Sequence, residues 1–70
     1  MTINKKLNLT LVGLDGNAFS LMGAFKRQAH KEKWAREEID FVLKECMSGD
    51  YNHLLATLAG YCVDNIDVEN

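Results

Sequence analysis

Apolar and polar residues alternate along one short segment near the N-terminus. Leu7, Leu9 and Leu11 fall on one side of an extended chain, and Asn8 and Thr10 fall on the other. A period of two is typical of a half-buried β-strand. The pattern predicts one strand over 7–12, which ends where Gly13 and Gly16 favour a turn.

Three later segments carry apolar residues at three- and four-residue spacings, which predict helices. The first helix is expected to follow a cap at Asp15 or Asn17 and to end near Lys33. Its predicted core stripe is Ala18, Leu21, Met22, Phe25 and Ala29. The second is expected over 35–47, with the stripe Ile39, Val42, Leu43, Cys46 and Met47. The third is expected to follow a cap at Asp50, with the stripe Tyr51, Leu54, Leu55, Leu58 and Cys62.

The predicted fold is therefore α+β, a single small domain over 1–70 with one N-terminal strand and three helices. Segment 63–68 is either a short C-terminal strand or disordered. One strand leaves its own edges unpaired, so it must pair with that tail, with residues near the N-terminus, or with the same strand of a second copy. Because a chain of 70 residues buries only a small core, we expect a homodimer.

Two glycines invite specific interpretations. Gly49 follows the second helix and suits a left-handed cap. Gly23 interrupts the first helix, where a missing side chain allows another backbone to approach closely.

Charge is unevenly distributed in a chain whose net charge is −2. One segment is basic, whereas Asp64, Asp67 and Glu69 make the C-terminal tail acidic. The basic segment contains Lys26, Arg27, His30, Lys31, Lys33 and Arg36. Such a cluster can contact nucleic acid or an acidic partner, but the solvated face of a helix is the interpretation we favour.

Sites with dedicated chemistry find little support in the sequence. Gly13, Gly16 and Gly23 do not have the spacing of a dinucleotide or P-loop motif, and Asp15 would repel an anion there. Cys46, His53 and Cys62 match no usual zinc spacing, and we expect the two cysteines to pack as small apolar residues. We expect no catalytic residues, no metal and no cofactor.

Aromatic residues give the best candidates for a contact surface. Trp34, between two predicted helices, is expected to fill the core. Phe19 and Phe41 fall off the main stripes of their helices, so we expect them to be exposed and available for contact, together with Tyr61. Two turn-and-cap corners, 15–17 and 48–51, each begin a helix. The need to cap a helix explains the residue types at both corners. A sharper hypothesis is that the two corners meet and form a polar contact surface that includes Tyr51 and His53.

The stretches VGLDGNAFSLMGAF and EEIDFVLKECMSGDYNHLLATL resemble a family of small bacterial, phage and prophage proteins. The shared features are a strand ending in a D-G-N-A-F corner, then E-E-I-D, then S-G-D-Y-x-H-L-L, and they cover Leu9 to Cys62. Ala35 departs from a capping serine or threonine at the start of the second helix. The resemblance implies a fold and a mobile-element setting, and it implies no activity.

The sequence thus favours a small non-enzymatic protein of the phage or prophage accessory type that binds a host or phage protein. The contact candidates are Phe19, Phe41, Tyr51, His53 and Tyr61. The alternative is nucleic-acid binding through Lys26, Arg27, Lys31, Lys33 and Arg36. With no signal sequence and no apolar run of about 20 residues, we expect a cytoplasmic protein without a membrane contact.

Overall fold

The computed structural model describes residues 3–11 and 13–63 of the chain. These residues form three helices: α1 (Ala18–Lys31), α2 (Arg36–Cys46) and α3 (Tyr51–Tyr61). Each helix contacts the other two. A search of the described residues found no helix long and apolar enough to cross a membrane.

The predicted α+β class is wrong, since the described residues contain three helices and no strand. The N-terminal segment makes only an isolated parallel bridge between Leu7 and Cys62. The amide of Leu7 donates to the Tyr61 carbonyl and the amide of Val63 donates to the Leu7 carbonyl, both at 2.8 Å. Leu7 therefore pairs at one position without a ladder on either side. The rest of the possible C-terminal strand, from residue 64 onwards, lies outside the described residues.

The N-terminal segment instead crosses the ends of the helices and completes the core. Leu7 is fully buried, and Ile3, Leu9 and Leu11 are partly buried against the core. Alternation thus correctly placed the three leucines on the protein side of the segment. The alternation does not show what the leucines pack against. In this structure they pack against the helices and not in a β-sheet.

Two glutamates hold this segment from the helical side. The Lys5 ammonium lies 2.7 Å from Glu38 Oε1, and the Asn8 amide donates to Glu32 Oε2 at 2.8 Å. The hydrogen bond from Lys5 lowers the pKa of Glu38, assisted by the Ala35 amide. The Gln28 amide lowers the pKa of Glu32, assisted by the Asn8 amide. Both carboxylates therefore favour the folded state at neutral pH, and this contribution falls as acid protonates them.

Local capping explains the helix boundaries. Asn17 caps α1 through its side chain, which accepts from the Phe19 amide, and Asp50 caps α3 by accepting from the His53 amide. Ala35 has no side-chain acceptor, so only half of a capping box forms at α2: the Ala35 amide donates to Glu38 Oε1 at 2.9 Å. The chain also turns at Gly13, two residues before the first corner, where a φ of 90° favours glycine.

α1 ends two residues before the predicted limit, in a left-handed turn at Lys33, which has φ 64°. The Lys33 amide donates to the His30 carbonyl and the Trp34 amide donates to the Ala29 carbonyl, both at 3.0 Å. This is the hydrogen-bond pattern of a Schellman motif. It directs Trp34 into the core, where the predicted burial is confirmed: its side chain is 6% exposed. Its ring packs edge-on against the ring of Phe25, with 5.7 Å between the ring centroids.

Replacing Leu7 tests the structural role of the N-terminal segment. Leu7→Ala is expected to lower the free energy of unfolding by about 2–4 kcal/mol, because it removes a fully buried side chain from the core. Leu14→Ala is the matched control, since Leu14 is 37% exposed, and it should cost less than about 1 kcal/mol. Urea unfolding followed by circular dichroism measures both. Equal losses for the two variants would contradict the assignment.

Candidate functional site

The two turn-and-cap corners meet. The Tyr51 hydroxyl, at the start of α3, donates a hydrogen bond to the Gly16 carbonyl, just before the cap of α1. The contact joins residues 35 positions apart in the chain. It fixes the start of α1 against the start of α3, so the side chains around both corners have a defined arrangement.

His53 stabilises the corner between α2 and α3 from within. Its Nε2 lies 2.9 Å from Glu45 Oε2 and 3.1 Å from the Glu45 carbonyl oxygen. The Ser48 hydroxyl lies 3.3 Å from the same nitrogen. These contacts all belong to the corner itself, so the ring nitrogen is occupied in holding α3 to the end of α2.

Gly49 is required for a different reason from the one the sequence suggested. Gly13 is the only described glycine with a positive φ, so the predicted left-handed cap at Gly49 is wrong. A Cβ atom at Gly49 would lie 2.9 Å from both Cβ and Cγ of His53. The close approach of the His53 side chain therefore excludes a side chain at residue 49. By contrast, a Cβ at Gly23 would meet nothing within 4 Å, so the predicted close backbone approach is absent there.

An open apolar depression lies where the corners meet. It has a volume of about 280 Å³, and we call it the apolar groove. Its lining comes from the start of α1, the end of α2 and the start of α3: Ala18, Phe19, Met22, Cys46, Met47, Gly49, Asp50, Tyr51 and Leu54. The sharper hypothesis of meeting corners thus matches the geometry, but the surface they form is mainly apolar rather than polar.

Three large side chains of the apolar groove are unusually exposed. Phe19 is 80% exposed, Met47 64% and Tyr51 45%. For Phe19 and Tyr51 this agrees with their choice as contact candidates, although Tyr51 was also placed in the predicted core stripe of α3. Met47 was expected in the core stripe of α2. Met47 is the cap residue that follows α2, so the helical spacing that predicted its burial no longer applies to it. Met22, also predicted as core, is only partly buried and lines the same groove.

The other predicted contact aromatics lie elsewhere and have structural neighbours. Tyr61 is partly buried, with its ring edge-on to Trp34 at 6.2 Å. Phe41 is partly buried against the core. Neither residue lines the apolar groove.

The basic residues of segment 26–36 are divided among α1, the turn after it and the start of α2. Lys26, His30 and Arg36 line a second cavity of about 230 Å³, together with Ile39 and Asp40, which we call the basic cavity. Arg27 and Lys31, four residues apart, occupy the adjacent face of α1 and are outside this lining. Lys33 lies in the turn after the helix. The segment therefore does not present all its charges on one face.

The start of α1 carries its own acidic group. The Asn17 amide donates to Asp15 Oδ1 and the Ser20 hydroxyl donates to Asp15 Oδ2, both at 3.2 Å. Together with the Asn17 cap, which accepts from the Phe19 amide, these contacts use two backbone amides and a hydroxyl at the helix start and place a carboxylate beside them, which would repel a phosphate. The glycine-containing corner therefore redirects the chain and caps the helix.

The two cysteines are buried and unpaired. Cys46 is 1% and Cys62 4% exposed. Burial raises the pKa of each thiol to about 11, so both remain protonated and unreactive near neutral pH. Among the described residues, no cluster of three histidine, cysteine or acidic side chains could hold a metal ion.

Comparisons of the chain with protein-family models, curated proteins and solved structures found no match. The resemblance to small phage and prophage proteins accordingly stays an expectation from the sequence.

Adding a methyl group to each of two glycines tests the corner between α2 and α3. Gly49→Ala should lower the free energy of unfolding by at least about 1 kcal/mol, because the new Cβ overlaps His53. Gly23→Ala has open space around the new atom and should stabilise α1 by about 0.5–1 kcal/mol. Thermal or urea unfolding measures both changes. A Gly49→Ala variant as stable as the Gly23→Ala variant would refute the packing at His53.

Thiol labelling tests the burial of the cysteines. At pH 8 both thiols should react with a disulfide reagent at least about 100-fold more slowly in the folded protein than in urea. The pKa of each thiol rises on folding to about 11. The resulting stabilisation is therefore present below about pH 8.5 and is lost as the pH rises through the native value. Similar labelling rates in both states would show that the thiols are accessible.

Proposed function

We propose that this protein is a small non-enzymatic docking module that binds another protein through the apolar groove. The observation that carries the proposal is the exposure of Phe19, Met47 and Tyr51 around one depression. Large exposed apolar side chains in a contiguous patch are typical of interaction sites. Aromatic residues and methionine are also enriched where proteins bind one another.

The dimensions of the groove favour a macromolecular partner. Its volume of about 280 Å³ is at the lower limit typical of small-molecule sites, and those sites enclose most of the ligand, whereas this depression is open. An open depression of this size accepts one or two side chains of a partner, as interface pockets do. The partner then covers the surrounding apolar surface.

The groove is also held in shape before any partner arrives. Tyr51 joins the first corner to α3, and His53 joins α3 to the end of α2. A preformed surface loses less conformational entropy on binding. The two corners thus support binding indirectly, by fixing the side chains between them.

Self-association remains a prediction, but one of its two reasons no longer applies. The expected homodimer relied on an unpaired strand and on the small core of a short chain, and both backbone groups of Leu7 have partners within the chain. A docking module of phage or prophage type, acting on a host or phage protein in the cytoplasm, is the setting we propose from the sequence resemblance.

Affinity capture with matched variants tests the proposal. The tagged protein should retain a specific protein from cell lysate, and Phe19→Ser and Met47→Ser should each lose it. Val63→Ser should retain it, because Val63 is 38% exposed and does not line the apolar groove. We expect the loss to exceed about tenfold, as for central interface residues.

Light scattering of the same samples distinguishes a foreign partner from a second copy. Capture that is equal for wild type, Phe19→Ser and Met47→Ser would remove the groove as the docking site. No capture, combined with a single-chain mass at all concentrations, would remove protein docking altogether.

A further inference from the structure

We infer that the apolar groove is one end of a longer surface between α1 and α2. This surface binds an amphipathic helix of a partner protein, and the contacting face of that helix is apolar at one end and acidic at the other. This inference rests on the proposed docking function and specifies its partner. It depends on the position of the basic cavity relative to the apolar groove.

On α1, one face carries residues of both sites. Phe19, Met22, Lys26 and His30 are separated by three, four and four residues, so they follow one another along the same side of the helix. Phe19 and Met22 line the apolar groove, and Lys26 and His30 line the basic cavity.

On α2, the matching face runs in the opposite direction. Arg36, Asp40 and Leu43 are separated by four and three residues on α2, and Met47 directly follows the helix as its cap. Arg36 and Asp40 line the basic cavity, and Cys46 and Met47 line the apolar groove. Since each cavity contains residues of both helices, the two cavities are consecutive parts of one seam.

The length and shape of this seam fit a helix. Phe19 and His30 are eleven positions apart, which corresponds to about 16 Å along α1, or three turns of a partner helix. A groove between two packed helices is a common receptor for an amphipathic helix with anchors at three- and four-residue spacings. A bound helix would extend the three-helix packing by a fourth member.

Charge decides the polarity of the partner. Lys26 and Arg36 supply fixed positive charges at the basic end, and Asp40 is the only acidic residue in the cavity lining. Arg36 Nε lies 3.9 Å from Asp40 Oδ2, with both side chains largely exposed. A pair of this kind is weak, so the guanidinium stays available to a carboxylate. The whole chain has a net charge of −2, so attraction for acidic residues is a property of this end and not of the protein generally.

Peptide selection tests the inference on the full-length protein. A phage-displayed library of random peptides of about 16 residues is selected on the immobilised protein, and the enriched sequences are measured as synthetic peptides by fluorescence anisotropy. They should contain an apolar or aromatic group and, two or three turns away, aspartate or glutamate. Phe19→Ser should weaken binding at least about tenfold.

Charge reversals on two faces of α1 and α2 provide the decisive comparison. Lys26→Glu and Arg36→Glu should each weaken binding by about five- to tenfold. Arg27→Glu and Lys31→Glu make the same change of charge on the adjacent face of α1 and should stay within about twofold. Replacing the acidic residues of the peptide by lysine should cost as much as Lys26→Glu.

Each other outcome overturns a defined part of the account. Peptides that need Phe19 but show no acidic preference overturn this inference and leave the docking function standing. Peptides that bind Phe19→Ser as well as wild type, or a selection without enrichment, overturn both.

Two further measurements exclude other occupants. If the full-length variant Asp64→Asn, Asp67→Asn, Glu69→Gln binds the peptides about tenfold more tightly, the chain's own C-terminal segment is the occupant rather than a partner. Binding of a short DNA duplex that Lys26→Glu abolishes, in the absence of peptide binding, assigns the basic end to nucleic acid instead.

Discussion

Burial of Leu7 against the three helices is the contact on which this small structure depends. The helices have 14, 11 and 11 residues, and isolated helices of such length are marginal in water. They require a shared core, and that core is closed by a residue from outside the helices. Leu7 is fully buried, and its amide and carbonyl are both bonded to the chain around the end of α3. Hydrophobic packing and backbone pairing therefore act at the same residue.

This closure has a consequence for the opposite end of the helices. The buried core is assembled from Leu7, Trp34 and the inner stripes of the helices, and it does not include Phe19, Met47 or Tyr51. These side chains are instead held at the surface by contacts between the corners. The resulting groove is a product of the fold, since the caps at Asn17 and Asp50 fix where two of the helices begin. A stable core and an exposed apolar surface coexist because different residues form them.

Sequence patterns predicted the helices well because the relevant signals are local. Asn17 and Asp50 are caps whose side chains act within three residues, and Leu21, Phe25, Val42 and Leu58 are buried as their spacing indicates. The strand prediction failed because alternation reports which side chains share a side, and Leu7 found helices rather than another strand. Met47 was misplaced because periodicity was extended beyond the end of α2. The role of Gly49 depends on the approach of the His53 side chain, which no local pattern reports. The corners were hypothesised to meet, but the hydrogen bond from Tyr51 to Gly16 that joins them depends on tertiary packing.

The central claim is that the core is complete without the apolar groove, which therefore faces solvent in the free protein. The direct test is NMR relaxation of aromatic side-chain protons in the presence of a soluble paramagnetic agent, repeated over a range of protein concentrations. The account predicts strong enhancement at Phe19 and little at Phe25, which is fully buried. Equal protection of the two rings at every concentration would contradict it, because Phe19 would then belong to the core.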